Sequence, residues 1–119
     1  MPRSPQNQTV HDRIVSARAG ELRTAGNRVW ADVPGYEKPQ DVFGHIPDVL
    51  TNGRSNILSE VETADSYSTQ HTQEQLRAFD RAGNYRLEVV VPQSVLGDAK
   101  SLIEGIWRVS VDEWRTFSG

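Results

Sequence analysis

The sequence predicts an α/β domain: a mixed sheet of four to five strands with helices packed on its faces, in the order helix, strand, strand, strand, helix, strand, then a further helix and strand. Three observations predict it. The stretch Ile46–Thr63 (IPDVLTNGRSNILSEVET) places Asn52-Gly53 between two short runs, which marks a hairpin. Tyr85–Val91 (YRLEVVV) is nearly continuous in apolar and β-branched residues, as a strand covered on both faces requires. Between them, Thr69 to Ala82 has helical periodicity, and a hairpin feeding a strand–helix–strand unit makes the sheet mixed.

Residues 1–9, with two prolines in the first eight and little that is apolar, read as a loose tail, and 10–119 as one domain. Thr9 with Asp12 resembles a capping pair at the start of a helix that runs from Val10 to about Ala25 and stops at Gly26-Asn27. At about 100° per residue, Val10, Ile14, Ala17 and Ala25 form one stripe with Glu21 in its middle. Glu21 there either brings a further carboxylate inward or pairs with an arginine at the rim of a stripe centred nearer Val15 and Leu22. Arg28–Val33 alternates and reads as a strand ended by Pro34-Gly35, and Trp30 reads as core. Tyr36–Phe43 is a polar loop.

The second long helix closes at Gly83-Asn84, with Thr72, Gln75, Leu76, Phe79 and Ala82 on its inner stripe. Pro92 ends the next strand. Ser94 caps a third helix from Val95 to about Glu104, and Trp107, Val109 and Val111 alternate as a last strand, with Trp114 and Phe117 covering an apolar edge.

Composition narrows the classes. An apolar fraction of 36% and a mean hydropathy of -0.58 leave no run near the roughly 20 residues of a membrane span. No apolar leader opens the chain, and there are no cysteines, so thiolate chemistry is excluded and a cytoplasmic location is expected. The net charge of -3 is not that of a nucleic-acid coat protein. Lys38 and Lys100 are the only lysines, and the remaining basic residues are arginines, which suit phosphate.

The hairpin carries the chemistry. In its returning strand Leu58, Glu60 and Glu62 share one face, and Asp48 can stand across from them. Carboxylates that close repel unless they share a proton or a cation, and oxygen ligands suit Mg2+ or Mn2+. An edge hairpin with its polar face in water would show the same pattern. His11, His45 and His71 read as isolated surface histidines.

Pro47-Asp48, then Glu60-Val61-Glu62 after a suitable gap, then Gln75 with Phe79 on the following helix, resemble the PD-(D/E)xK nuclease superfamily, and within it the small archaeal-type Holliday junction resolvases. The resemblance covers about residues 10–92 and implies a restriction-endonuclease-like three-layer fold with an αβββαβ core. It further implies a Mg2+- or Mn2+-dependent phosphodiester hydrolase acting on nucleic acid, DNA above all. Asp48, Glu60 and Glu62 would be catalytic and metal-binding, Gln75 would position phosphate or water, and Glu21 would be the first-helix acid at the metal. Arg18, Arg77 and Arg81 would contact the DNA backbone, and so small a domain implies a homodimer or a partner protein. One departure is Glu62, where the family usually has lysine. An ExE form occurs among restriction endonucleases of the superfamily, whereas lost catalysis would leave a degenerate nuclease fold used for protein or nucleic-acid binding.

Overall fold

The structure is a computed structural model that describes residues 3–118. Helix α1 spans Pro5–Thr24, several residues longer at its start than the sequence suggested. Ser4 is the N-cap, its hydroxyl accepting from the Asn7 amide at 3.1 Å, and Pro5 follows where a missing N–H costs nothing. Thr9, expected as the cap, instead donates from inside the helix to the Pro5 carbonyl at 3.0 Å. The expected loose tail therefore gives way to helix from Pro5 onward; Met1 and Pro2 lie outside the described residues. Gly26, at a φ of 98°, takes the left-handed turn that ends the segment.

Strands β1 (Arg28–Ala31), β2 (Val49–Asn52) and β3 (Ile57–Val61) form an antiparallel meander. Helix α2 (Gln70–Ala82) then crosses over to β4 (Arg86–Pro92), which pairs parallel with β3. A short helix α3 (Leu96–Lys100) leads to β5 (Glu113–Phe117), parallel to β4, so the five strands lie in sequence order. This is the predicted α/β architecture with a mixed sheet flanked by helices.

The alternation of side chains along the strands divides the core in two. Val15, Ala19 and Leu22 of α1 pack on Ala31, Val49, Ile57, Val61 and Val90 on one face. On the other, Leu76 and Phe79 of α2 and Ala99 of α3 meet Leu50, Leu58, Leu87, Val89 and Val91. Among the described residues 21 apolar side chains are buried, almost all of them in these two layers, which at roughly 1.5–3 kcal/mol for each large one dominate the stability of the fold.

The last strand lies later than expected. After α3 the chain widens into a π-helical turn, Ser101–Ile106, and Arg108 sits at a φ of 60°, which breaks the extended run predicted over 107–112. Trp107 and Val109 are buried as irregular chain. Asp112 then accepts from the Leu87 amide at 2.7 Å and aims the chain into β5, which puts Trp114 in a strand instead of over an edge.

Candidate functional site

The β2–β3 register pairs Val49 with Ser59, so the next step toward the start of β2 sets Asp48 opposite Glu60. Each carboxylate is held by the other strand's backbone: the Asp48 amide donates to Glu60 Oε2 at 2.7 Å, and the Val61 amide donates to Asp48 Oδ2 at 2.8 Å. Glu62 follows directly, its own amide donating to the Val90 carbonyl at 2.8 Å and so continuing the parallel ladder. Its Oε1 accepts from Ser66 Oγ at 2.8 Å and from Thr72 Oγ1 at 3.0 Å. Thr69, the N-cap of α2, and Thr72 place the start of that helix over Glu62, and Gln75 follows one turn on.

Asp48, Glu60, Glu62 and Gln75 thus line one cleft of about 260 Å3, together with Arg3 and His71 among others. A larger cavity of about 390 Å3 lies at the far end of β2, lined by Trp30, Lys38 and Tyr85 among others, and contains none of the acids. The titratable chemistry belongs to the smaller one.

Glu60 and Glu62 are almost fully buried, at 2% and 1% exposed. Burial, then the charges of Asp48 and Glu62, push the Glu60 carboxyl well above the ordinary range. Glu62 is raised for the same leading reasons, burial and Asp48, against the opposing pull of Arg3, Ser66 and Thr72. Both buried acids therefore hold their protons more tightly than an exposed glutamate does.

Two side chains that the sequence did not single out stand at this site. The Arg3 guanidinium donates to the Val61 carbonyl at 3.1 Å and to Thr63 Oγ1 at 3.2 Å, and approaches Glu62 Oε1 at 3.6 Å. Among the described residues it is the arginine or lysine that lines the cleft, whereas Lys38 lines the other cavity and Lys100 is exposed on α3. His11, read from the sequence as a surface residue, is buried at 5% exposed on the inner stripe of α1. Its Nδ1 meets Asp12 Oδ1 at 2.9 Å, and its Nε2 lies 3.1 Å from Asp48 Oδ1 without the alignment of a hydrogen bond. Burial acts to lower the His11 pKa, but the two flanking carboxylates outweigh it and the net shift is upward.

Glu21 is not brought to the cleft. The buried stripe of α1 runs through His11, Val15, Ala19 and Leu22, which turns Glu21 outward to pair with Arg18 at 3.2 Å. The position on the first helix that faces the acids is held by His11. Of the three arginines expected on DNA, Arg18 grips buried Glu88 through two contacts of 2.8 Å. Arg77 reaches the Trp107 carbonyl at 3.4 Å, and Arg81 lies over the Phe43 ring at 5.8 Å.

Among the described residues no three histidine, aspartate or glutamate side chains form a ready-made cage for an ion. The donor set nonetheless suits a hard divalent cation. Mg2+ and Mn2+ sites commonly take one or two protein carboxylates and complete their shell with water and substrate phosphate. Asp48 Oδ1 lies 3.1 Å from the buried His11 Nε2 in an ion-pair contact that falls short of hydrogen-bond alignment. Comparison with family models, with characterised proteins and with solved structures finds no match to this chain.

Proposed function

We propose that the chain is a metal-dependent phosphodiester hydrolase acting on nucleic acid, with DNA as the first substrate to test. The observation that carries this reading is the cleft itself: β2 and β3 gather Asp48, Glu60 and Glu62 at one site, where burial and the neighbouring carboxylates disfavour the charge of Glu60 and Glu62. Natural proteins tolerate that cost where it serves a function. The cleft is smaller than the roughly 300–1,000 Å3 of a pocket that engulfs a small molecule, which suits a backbone phosphodiester passing over it.

The residues divide the work by position. Asp48 and Glu60, fixed by reciprocal backbone amides, would hold Mg2+ or Mn2+. When bound, the ion supplies Lewis-acid polarisation of the phosphoryl oxygens and acidifies nearby water. Glu62, its Oε1 held by Ser66 and Thr72, would accept a proton from the attacking water or add to the ligand set. Gln75 would orient the phosphate or the water. Arg3 is the cation available to offset charge on the phosphate, in the role that the resembled family gives to lysine at the position of Glu62. With a net charge of -3, the chain would rely on the ion and on a second copy or partner protein to bring in a polyanion.

A second reading, a degenerate nuclease fold that binds without cleaving, draws on Glu62 in place of lysine. Glu60→Gln separates the two. On branched and linear DNA with Mn2+, an enzyme should lose cleavage by 100-fold or more while a binder keeps its affinity. Equal turnover by wild type and Glu60→Gln, or none by either, would contradict the hydrolase.

A further inference from the structure

We propose that the cavity of about 390 Å3 at the far end of β2 is a nucleotide site, taking a purine base between Trp30 and Tyr85 and its phosphate at Lys38. The site stands apart from the acidic cleft and does not rest on the hydrolase reading.

Sheet register builds the cavity. Trp30 on β1 stands opposite Leu50 on β2, Leu50 opposite Leu58 on β3, and Leu58 opposite Leu87 on β4, so all four share one sheet face. Tyr85, just before β4, packs against the same core cluster as Trp30. Helix α2 ends at Ala82, and beyond it this face is left to the cavity, with buried Leu50 in its lining and the loop carrying Lys38 and Gln40 as a further wall. Trp30 and Tyr85 stand three strand spacings apart, about 14 Å between backbones, which leaves room for a flat ring between their side chains.

The lining has the chemistry of a nucleotide's partners. Aromatic side chains stack on bases. Gln40, Asn52, Asn56 and Asn84 bring carboxamides, whose adjacent donor and acceptor match the edge of adenine. Among the described residues none of these four is tied up in a side-chain hydrogen bond, whereas both ends of the Asn27 carboxamide are engaged, at 3.0 and 2.9 Å. Turn chemistry explains asparagine beside Gly53 and Gly83, but not its convergence with two aromatic rings on one cavity. Although the chain has a net charge of -3, no described carboxylate lines this cavity. Exposed Lys38 does, and the Arg28 guanidinium lies 4.8 Å over the Trp30 ring, adding a second positive charge at its edge. The volume falls within the roughly 300–1,000 Å3 of sites that engulf a small molecule.

A shallower cavity of about 300 Å3 shares Gln40, Asn84 and Tyr85 and continues to Phe43. That ring is 60% exposed, on a backbone whose φ of 49° is costly for any residue but glycine. A third aromatic is thus displayed where a strand leaving the first cavity passes. A free nucleotide and an unpaired unit of a strand offer the same base and phosphate, and Phe43 tells the two apart.

The test is titration of AMP, and of an adenine trinucleotide, into the 15N-labelled full chain, followed by NMR. Trp30, Trp107 and Trp114 are the only tryptophans, so three indole N–H signals report separately. Both ligands should shift the Trp30 signal and leave that of buried Trp107 in place. Lys38→Gln should weaken AMP by about 10-fold, as loss of a charge-assisted contact does, with less than a 3-fold effect on adenosine. UMP should bind about 10-fold more weakly than AMP, since the carboxamides match adenine. A trinucleotide that binds 10-fold or more tighter than AMP, with the gain lost in Phe43→Ala, identifies a strand as the source. Equal affinities that ignore Phe43→Ala identify the free nucleotide. Lys38 and Phe43 are both exposed, so neither variant endangers the fold. A Trp30 signal that ignores both ligands, or that moves equally with inorganic phosphate alone, overturns the site. Equal binding of AMP by wild type and Lys38→Gln, or of UMP and AMP by the wild type, overturns it as well. Glu60→Gln should leave AMP binding unchanged, so the site and the hydrolase fail separately.

Discussion

Glu60 shows how a single buried carboxyl can govern the acid–base behaviour of the protein. Its pKa in the folded chain lies well above the ordinary 4.5, first because it is buried and then because Asp48 and Glu62 face it. The folded state therefore holds more protons than the unfolded state between pH 4.5 and the raised value. That contribution to stability is present at acid pH and is lost as pH rises through the folded-state pKa. Glu62 is raised in the same sense, and so is His11, whose contribution is likewise lost as pH rises above its ordinary 6.5; Arg3 is the opposing cation. In metal-free buffer, thermal unfolding across pH 4–8 should show the melting temperature falling as pH rises through this range. Glu60→Gln should flatten the fall and raise the melting temperature at pH 8. A melting temperature that climbs with pH would contradict the electrostatics described. Glu60, Glu62 and Asp48 were legible in the sequence because strand alternation and a short turn fix their side locally. His11 and Arg3 were not. Arg3 meets partners 58 and 60 residues away, and the sequence leaves two phases open for the first helix; the one centred on Val15 and Leu22, with Glu21 at the rim on Arg18, is the one that turns His11 inward.

At the scale of elements, α1 is fastened to the sheet by more than apolar contact. Arg18 donates through Nε and one terminal nitrogen to both oxygens of Glu88 on β4, at 2.8 Å each, and Ser59 Oγ of β3 adds a third bond at 2.8 Å. The pair sits under the helix, with side-chain exposures of 14% and 3%. Removing one partner leaves an uncompensated buried charge. Arg18→Met should cost about 3–5 kcal/mol in chemical denaturation, and Arg18→Met combined with Glu88→Met should recover most of it. A loss below about 1 kcal/mol for the single variant would show that the pair does not pin the helix. From the sequence Arg18 looked available for phosphate, and Glu88 was one charge inside an apolar strand. Only the packing of α1 on the sheet face that carries Glu88 joins them, and such packing is not written in local periodicity. The same limit explains the last strand, which moved because a π-helical turn and the left-handed Arg108 consumed the predicted segment.

For the molecule as a whole, the order helix, three strands, helix, strand was legible because each of those segments has its own periodicity and its own stop signal. The strands fell into sequence order because a meander followed by crossovers leaves few alternatives. That order brings the start of β2, the end of β3 and the first turns of α1 and α2 to one end of the sheet, where the acids meet. No described helix is long and apolar enough to cross a membrane.

The central claim is that Asp48 belongs to a cation site. Calorimetric titration of Mg2+ and Mn2+ into the wild type and Asp48→Ala, each alone and with a DNA duplex, tests it most directly. The expected result is saturable binding by the wild type, tightened by the duplex and reduced at least 10-fold in a folded Asp48→Ala. Equal binding by both proteins, or none by the wild type even with duplex present, would contradict it.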